Sequence, residues 1–211
     1  MVPAMVEPIE IAILAKAPLP GLAKTRLTPA LGPEGAAALQ ARMIERTVET
    51  AKAAATGPIT LWAAPDEQHP IFQMIGTMLG IKAMRQPDGD LGERMYAAVA
   101  GAGGPVLVIG TDCPALTVEH LRTAADVLRA GFDAVVIPVE DGGYALIGAR
   151  RAEPGLFADV RWSTASVMAD TRRRLLQLRY SWREPTRLWD VDLPEDLDRL
   201  KREGLGSLLG P

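Results

Sequence analysis

Short runs of apolar residues alternate along the chain with longer stretches in which apolar residues recur every three or four positions. Runs of the first kind predict buried strands, and stretches of the second kind predict helices with one buried face. The predicted strands cover residues 9–15, 59–63, 81–85, 105–110, 133–139 and 144–148. The predicted helices cover residues 33–55, 91–100, 117–130, 164–178 and 194–203, with a further helix that His69-Pro70 starts or interrupts. Strands that alternate with helices predict a three-layer α/β/α fold with a mostly parallel mixed sheet.

Composition narrows the class of protein. The 211 residues suit one domain, spanning 1–211, and 48% of them are hydrophobic, which favours a packed core over disorder. Lys and Arg number 23 against 26 Asp and Glu, so the net charge of −3 disfavours nucleic acid as a partner. No apolar run reaches the roughly 20 residues that a bilayer-spanning helix needs, and the N-terminus lacks the pattern of a signal peptide. Because Cys113 is the one cysteine, no disulfide can form within the chain, and we expect a cytoplasmic protein without a membrane partner.

The loop after the first strand, KAPLPGLAKTRLTP, is the first candidate site. Ligands of open α/β sheets bind where strands end, and both backbone N–H groups and cationic side chains attract anions. The residues that suit a phosphate or diphosphate are Lys16, Gly21, Lys24, Thr25 and Arg26. An ordinary solvated surface loop would also carry such charges, since the sequence is neither a Walker P-loop nor GxGxxG.

Carboxylates mark two further loops. Asp112 follows the most apolar strand, at a position suited to holding a hard cation, although an aspartate there also caps turns. Asp190 and Asp192 lie two residues apart, so in an extended segment both side chains point to one face and repel each other. Mg²⁺ or Mn²⁺ carrying a diphosphate would relieve that repulsion, whereas Asp192 alone is also explained as a cap of the helix that begins at Pro194.

The turn DGGY at residues 141–144 has a structural and a functional interpretation. A hairpin turn is the default explanation of its two glycines. In the functional interpretation, Gly142 and Gly143 let a sugar or ribose approach the backbone, and Asp141 acts as hydrogen-bond acceptor or general base.

Two further segments carry candidate binding residues. Trp162-Ser163-Thr164 begins a predicted helix, and a simple N-cap is the default explanation of Ser163 or Thr164. In the functional interpretation, Trp162 lines a pocket. The polar loop QPDGDLGERM, with Gln86, Gly92 and Arg94, could read a base or ribose. Residues 204–211 are expected to form a frayed tail.

The loops together resemble one family. The segments KAPLPGLAKTRL, QPDGDLGERM, IGTDCPAL, EDGGYALIG, WST and WDVDLPEDLDRL occur in this order. This set resembles the bacterial glycosyltransferase-A-like proteins linked to radical-enzyme and arsenosugar gene clusters. It is more distantly similar to phospholactate and molybdenum-cofactor guanylyltransferases. The first loop departs from the GxGxRxG and Pro-Lys of sugar-nucleotide pyrophosphorylases, and the familiar DxD is reduced to TDC at Asp112.

The resemblance implies a nucleotide-diphospho-sugar transferase fold, a nucleotide donor and Mg²⁺ or Mn²⁺ as cofactor. Asp112, Asp190 and Asp192 match the metal site of that superfamily. Lys24 and Arg26 match its phosphate-binding loop, and Gln86 with Gly92 lies where it reads the nucleobase. The full nucleotide-binding set is Lys16, Gly21, Lys24, Thr25, Arg26, Gln86, Gly92 and Arg94. The acceptor pocket is expected at Gly142, Gly143, Tyr144, Trp162 and Ser163.

Three functions remain open from the sequence. The first hypothesis is glycosyl transfer from a nucleotide-diphospho-sugar to a small acceptor, with Asp112, Lys24, Arg26 and Asp141 as the catalytic residues. The second is nucleotidyl transfer, in which a phosphorylated small molecule attacks an NTP and pyrophosphate leaves. The third is a nucleotide-binding protein without catalysis. All three functions require a nucleotide or nucleotide-sugar as partner, and the first two also require a small-molecule acceptor. The sequence leaves open whether the protein forms a homodimer.

Overall fold

The computed structural model describes residues 6–210, which contain seven strands and six α-helices. The strands are β1 (Glu10–Lys16), β2 (Ile59–Ala64), β3 (Lys82–Arg85), β4 (Val106–Ile109), β5 (Ala134–Pro138), β6 (Tyr144–Ala149) and β7 (Trp182–Arg183). The helices are α1 (Thr28–Ala54), α2 (Pro70–Leu79), α3 (Leu91–Gly101), α4 (Val118–Arg129), α5 (Val167–Gln177) and α6 (Pro194–Arg202).

All seven strands belong to one sheet with the order β3-β2-β1-β4-β6-β5-β7. Strand β6 runs antiparallel to β4 and β5, and the other neighbouring strands are parallel. The carboxyl ends of β1 to β5 therefore meet at one edge of the sheet, where ligands of α/β proteins bind. The predicted mostly parallel mixed sheet is confirmed.

Each face of the sheet is covered by its own helices, because side chains alternate along the strands. Ile11 and Ile13 of β1 pack in a core cluster with apolar residues of α1, α2 and α4. Ala12 of β1 belongs to a second cluster on the opposite face, which contains residues of α3 and α5. The sheet lies between these two helical layers, so the predicted three-layer α/β/α architecture is also confirmed.

Helix starts follow local chemistry that is visible in the sequence. Thr117 accepts a hydrogen bond from the backbone N–H of His120 and caps α4, as its position predicts. Pro70 and Pro194 occupy first-turn positions of α2 and α6, where a missing N–H costs nothing. In α1, Gly32 has φ +70° and ψ 166°, so the regular part of the helix begins at Pro33.

The C-terminal segment differs from the expected frayed tail. Residues Gly206–Leu209 form a 3₁₀ helix, and Leu208 is buried in a third apolar cluster with Leu39 and Met43 of α1. A guanidinium nitrogen of Arg42 donates to the carbonyl of Leu208 at 3.2 Å. The prediction of fraying is wrong for these residues because their leucines cover an apolar face of α1 that the pattern of α1 alone does not reveal.

Within residues 6–210, no helix combines the length and apolar character needed to cross a membrane. The predicted location in the cytoplasm stays a prediction.

Candidate active site

A cleft of about 810 Å³ opens at the carboxyl edge of the sheet. Its walls come from the ends of β1 to β4, the first loop, the start of α3, the β5–β6 hairpin and the segment before α6. Ten of the residues singled out in the sequence line it: Lys16, Lys24, Thr25, Arg26, Gln86, Arg94, Asp112, Tyr144, Asp190 and Asp192. The fold therefore brings residues from five separate segments to one site.

Lys24 is the central cation of the first loop. Its backbone adopts a left-handed conformation, with φ 47° and ψ 44°, just before a 3₁₀ turn at Thr25–Leu27. The side chain is 5% exposed, and its Nζ lies 2.5 Å from Oδ1 of Asp112 and donates to the carbonyl of Val191 at 2.6 Å. Lys24 thus connects the first loop to both acidic segments.

Arg26 and Asp192 form a second ion pair, in which both side chains are largely exposed. Exposed pairs of this kind contribute little stability, about 0–1 kcal/mol. A competing phosphate or cation can therefore separate Arg26 from Asp192 at small cost. The Lys24–Asp112 and Arg26–Asp192 pairs balance cationic against acidic side chains in the ligand-free cleft.

The segment before α6 is anchored beside the β4 loop by two hydrogen bonds. The backbone N–H of Val191 donates to the carbonyl of Asp112 at 2.8 Å, and the Cys113 thiol donates to the carbonyl of Trp189 at 3.0 Å. Burial raises the pKa of Cys113 to about 12, so the thiol stays protonated at neutral pH. Cys113 therefore holds the acidic segment in place and does not serve as a nucleophile.

Asp190 is the most perturbed acid of the cleft. Burial, followed by the negative charges of Asp141 and Asp112, raises the pKa of this carboxyl to about 6. Negative charge therefore concentrates around Asp190, and a bound cation would relieve it. In the chain from residue 6 to 210, no three His, Cys, Asp or Glu side chains form a ready-made metal site. The three predicted metal ligands, Asp112, Asp190 and Asp192, all line the cleft, and their binding of a metal stays a prediction.

Gln40 is a residue of the cleft that the sequence analysis did not single out. It is 3% exposed, and its side-chain amide donates to Oγ1 of Thr111 at 3.1 Å and to the carbonyl of Lys16 at 3.3 Å. These bonds join α1 to the ends of β1 and β4. The available signal was a glutamine in phase with the buried face of α1, between Ala36 and Met43.

Gln86 lines the cleft, but its side-chain NH₂ group already donates hydrogen bonds to the backbone of neighbouring strands. The Nε2 atom donates to the carbonyls of Ala15 at 3.2 Å and Trp62 at 2.8 Å. Gln86 therefore ties the ends of β1 and β2 together. Within residues 6–210, no hydrogen bond is formed to its Oε1, so this oxygen keeps its acceptor capacity.

Gly92 and Gly21 do not line the cleft. A Cβ atom on Gly92 would lie 2.8 Å from the Trp162 indole, so this glycine allows a side chain of the protein itself to pack on α3. Gly21 has φ +73° and sits in the exposed turn of the first loop. Close packing explains the glycine at position 92, and a positive φ explains the glycine at position 21. Contact of either glycine with a nucleotide stays a prediction.

The DGGY turn supports the hairpin interpretation of its glycines. Gly142 has φ +95°, and a Cβ there would lie 2.2 Å from the carbonyl oxygen of Ala165. The carboxylate of Asp141 accepts the N–H of Gly143 at 2.8 Å, which closes the turn. Asp141, Gly142 and Gly143 do not line the cleft, although the charge of Asp141 reaches Asp190.

Tyr144 places one aromatic ring in the cleft wall. Its hydroxyl donates to Sδ of Met95 at 3.4 Å, and its ring meets the edge of Trp162 with 6.5 Å between centroids. Burial raises the pKa of Tyr144 above its usual value. Trp162 contacts the Tyr144 ring but does not line the cleft. Ser163 is exposed and does not line the cleft either.

The predicted cap of α5 by Ser163 or Thr164 is wrong. Ser166 occupies the N-cap position, and Ser163 has φ +60°, outside the extended conformation of most cap residues. Thr164 instead accepts the N–H of Ser166 at 3.3 Å and donates to the carbonyl of Arg161 at 2.7 Å. A two-residue turn built on the Thr164 hydroxyl thus precedes the helix.

Comparison with known proteins identifies the family of this chain. Residues 47–164, more than half of the sequence, match the family described as "Uncharacterized protein conserved in bacteria (DUF2064)". The chain belongs to the DUF2064 family. A comparison of this DUF2064 chain with curated proteins gave no match.

Solved structures show the same fold. A provisionally named nucleotide-diphospho-sugar transferase from Desulfovibrio desulfuricans G20 is 27% identical, with a TM-score of 0.81 over 95% of this chain and 93% of that one. CMP:2-keto-3-deoxy-manno-octonic acid synthetase in complex with CTP is 12% identical, with a TM-score of 0.59 over 94% and 98%. Glucosyl-3-phosphoglycerate synthase from Mycobacterium tuberculosis, in complex with Mn²⁺, UDP and glucosyl-3-phosphoglycerate, is 12% identical, with a TM-score of 0.53 over 96% and 78%. The predicted nucleotide-diphospho-sugar transferase fold and the glycosyltransferase-A-like resemblance are confirmed.

Proposed function

We propose that this DUF2064 chain transfers a glycosyl group from a nucleotide-diphospho-sugar to a small acceptor, with the help of a divalent metal. The observation that carries the proposal is the meeting of Lys24 and Arg26 with Asp112 and Asp192 in one cleft. At a general level, the likeness to solved transferases supports a transferase that uses a nucleotide. Of these, the 27% identical protein carries the name of a nucleotide-diphospho-sugar transferase.

The cations and carboxylates have complementary roles in this proposal. Asp112 and Asp190, with Asp192 as a third ligand, hold Mg²⁺ or Mn²⁺, which neutralises diphosphate charge when bound. Lys24 and Arg26 then exchange their carboxylate partners for the oxygens of the diphosphate. Their positive charge stabilises the nucleoside diphosphate as the bond between the sugar and the phosphate breaks. Thr25 and Gln86 complete the donor side, with Oε1 of Gln86 available to a base or ribose donor.

The acceptor side is proposed at the opposite end of the cleft. Of the residues predicted for the acceptor pocket, Tyr144 lines the cleft. Gly142, Gly143, Trp162 and Ser163 do not line it, and contact of these four with an acceptor stays a prediction. Asp141 is our candidate for the base that removes a proton from the attacking hydroxyl or thiol. The support for this role is that the charge of Asp141 acts on Asp190, which lines the cleft, although Asp141 itself does not.

A second candidate function uses the same site, but the bond that breaks lies between two phosphates of an NTP and not between a sugar and a phosphate. In nucleotidyl transfer, an acceptor phosphate oxygen attacks the α-phosphorus of an NTP, and pyrophosphate leaves. The likeness to a CTP-bound synthetase supports this alternative. A nucleotide-binding protein without catalysis is the third alternative, and the same cleft residues would serve it.

Product analysis separates the three functions. The purified protein is incubated with Mn²⁺ and ¹⁴C-labelled nucleotide sugars, or with NTPs, in the presence of a pooled metabolite extract. Glycosyl transfer releases a nucleoside diphosphate and moves the label to a new compound, whereas nucleotidyl transfer releases pyrophosphate. Asp112→Asn is the control, because it removes a carboxylate with little change of shape. Release of pyrophosphate alone would refute glycosyl transfer, and the absence of any product would favour the non-catalytic alternative.

A further inference from the structure

Two cations of the cleft form no ion pair with an acidic residue of the described chain, residues 6–210. Lys24 pairs with Asp112, Arg26 with Asp192, and the exposed Arg85 lies 3.5 Å from Asp88. In contrast, Lys16 and Arg94 line the same cleft, and no carboxylate within residues 6–210 forms an ion pair with either. Their positive charge is therefore available to a ligand.

Lys16 and Arg94 lie on the face of the sheet that α3 covers. Lys24 and Asp112 lie toward the α1 side, where both contact Val191, which packs against α1. Side chains alternate along β1, so Lys16 follows Leu14 on the face that packs against α3. Arg94 lies on α3 itself, next to Met95, which also lines the cleft. The cleft thus has a charge-paired half beside α1, with Lys24 and Arg26. The half beside α3 contains the unpaired Lys16 and Arg94 as well as the Arg85–Asp88 pair.

Of the two cations, Arg94 has the environment that most favours a bound anion. Its Nε atom is buried, and no acceptor within residues 6–210 receives a hydrogen bond from it, whereas the side chain as a whole is only half-buried and its other two guanidinium nitrogens remain accessible. A buried N–H group without an acceptor costs free energy, and an anion that accepts its hydrogen bond would recover that cost. The planar guanidinium matches a phosphate or carboxylate, to which it can donate two parallel hydrogen bonds.

We propose that Lys16 and Arg94 form a second anion subsite, which binds a phosphate or carboxylate group carried by the acceptor. This inference rests on the proposed transferase function, and it changes the predicted assignment of both residues from the donor to the acceptor. The acceptor is favoured because Tyr144, at the predicted acceptor pocket, donates to Met95, the neighbour of Arg94 on α3. The charge-paired half of the cleft, with Lys24 and Arg26, is left to the donor diphosphate.

Titration calorimetry with inorganic phosphate tests this subsite. The protein is first saturated with Mn²⁺ and UDP or GDP, so that the donor side is filled. We expect phosphate still to bind to the wild type, and Arg94→Gln or Lys16→Gln to weaken it about tenfold or more while affinity for the nucleotide changes less than twofold. Arg85→Gln is the matched control, since Arg85 lines the cleft but has Asp88 as a partner. Glycerol 3-phosphate should bind like phosphate, and glycerol should not.

Two results would overturn the inference. Competition between phosphate and UDP or GDP, with weaker nucleotide binding in Arg94→Gln, would assign Arg94 to the donor. No phosphate binding in any state would exclude an anion subsite. If no nucleotide binds, the proposed function fails, but phosphate titration of the nucleotide-free protein still tests Arg94. Thermal unfolding of the protein saturated with Mn²⁺ and UDP or GDP provides a second readout. Without phosphate, Arg94→Gln should melt no lower than the wild type. Phosphate should raise the melting temperature of the wild type and leave that of Arg94→Gln unchanged.

Discussion

Replacing Asp190 by asparagine tests the electrostatics of the cleft directly. In the metal-free protein, burial and the charges of Asp141 and Asp112 raise the pKa of this carboxyl from 3.8 to about 6. The folded protein therefore retains a proton at Asp190 in a pH range where the unfolded chain has lost it. The contribution of Asp190 to stability is most favourable below about pH 4 and declines as the pH rises to about 6, the pKa of the folded state. Above that value the ionised carboxylate destabilises the fold.

The size of the effect follows from the shift in pKa. Each pKa unit corresponds to about 1.36 kcal/mol, so the full shift of Asp190 corresponds to about 3 kcal/mol at pH 8. Because the carboxylate is only partly buried, solvent screens part of this energy, and we expect about 1.5 kcal/mol. Asp190→Asn removes the charge and should be more stable than the wild type by that amount at pH 8. For a chain of this length the difference is about 3–6 °C in melting temperature.

Thermal unfolding between pH 4 and 8, in the presence of a chelator, measures this effect. The advantage of Asp190→Asn should grow with pH and vanish near pH 4, and saturating Mn²⁺ should reduce it by stabilising the wild-type carboxylate. Asp198→Asn is the control, because Asp198 lies on the exposed face of α6. The reasoning is refuted if Asp190→Asn is no more stable than the wild type at pH 8, or if its advantage does not depend on pH.

Two further substitutions test the turn and the first loop. Gly142→Ala should lower the free energy of unfolding by more than about 2 kcal/mol, because its Cβ would lie 2.2 Å from the carbonyl oxygen of Ala165 at a φ of +95°. Gly103→Ala is the control, since a Cβ there meets no atom within 4 Å and should change stability little. Urea unfolding measures both variants, and equal stabilities would contradict the packing of the turn. Lys24→Met should weaken binding of UDP or GDP about tenfold and strengthen Mn²⁺ binding without nucleotide, since Asp112 loses its competing cation. Calorimetry measures both affinities, and weaker Mn²⁺ binding in Lys24→Met would contradict the exchange of partners.

Most of the fold could be predicted because its signals are local. Buried strands such as Val106–Ile109 are apolar on both faces, and caps such as Thr117 mark where helices begin. Strand β7 was missed because it has two residues and depends on pairing with β5. The packing of Leu208 on α1 was missed for the same physical reason, since a contact between distant segments leaves no periodic pattern in either one.

The site was predictable in its residue types and less so in its pairings. The sequence indicates cations at Lys24 and Arg26 and carboxylates at Asp112 and Asp192, but only the fold shows that they pair with each other. Gly92 illustrates the limit: its position in a polar loop suggests a ligand, while the structure places the Trp162 indole against it. A glycine needed for close packing and one needed for a ligand look identical in a sequence.

In the proposed function, one cleft binds a nucleotide sugar together with a divalent metal. Titration calorimetry of UDP- and GDP-sugars, with and without Mn²⁺, tests it most directly in the wild type and in Asp112→Asn. We expect that at least one nucleotide sugar binds the wild type and that Mn²⁺ tightens this binding about tenfold or more. In Asp112→Asn, Mn²⁺ should no longer tighten the binding. Binding that is equally tight without Mn²⁺, or no binding of either class of nucleotide sugar, would contradict it.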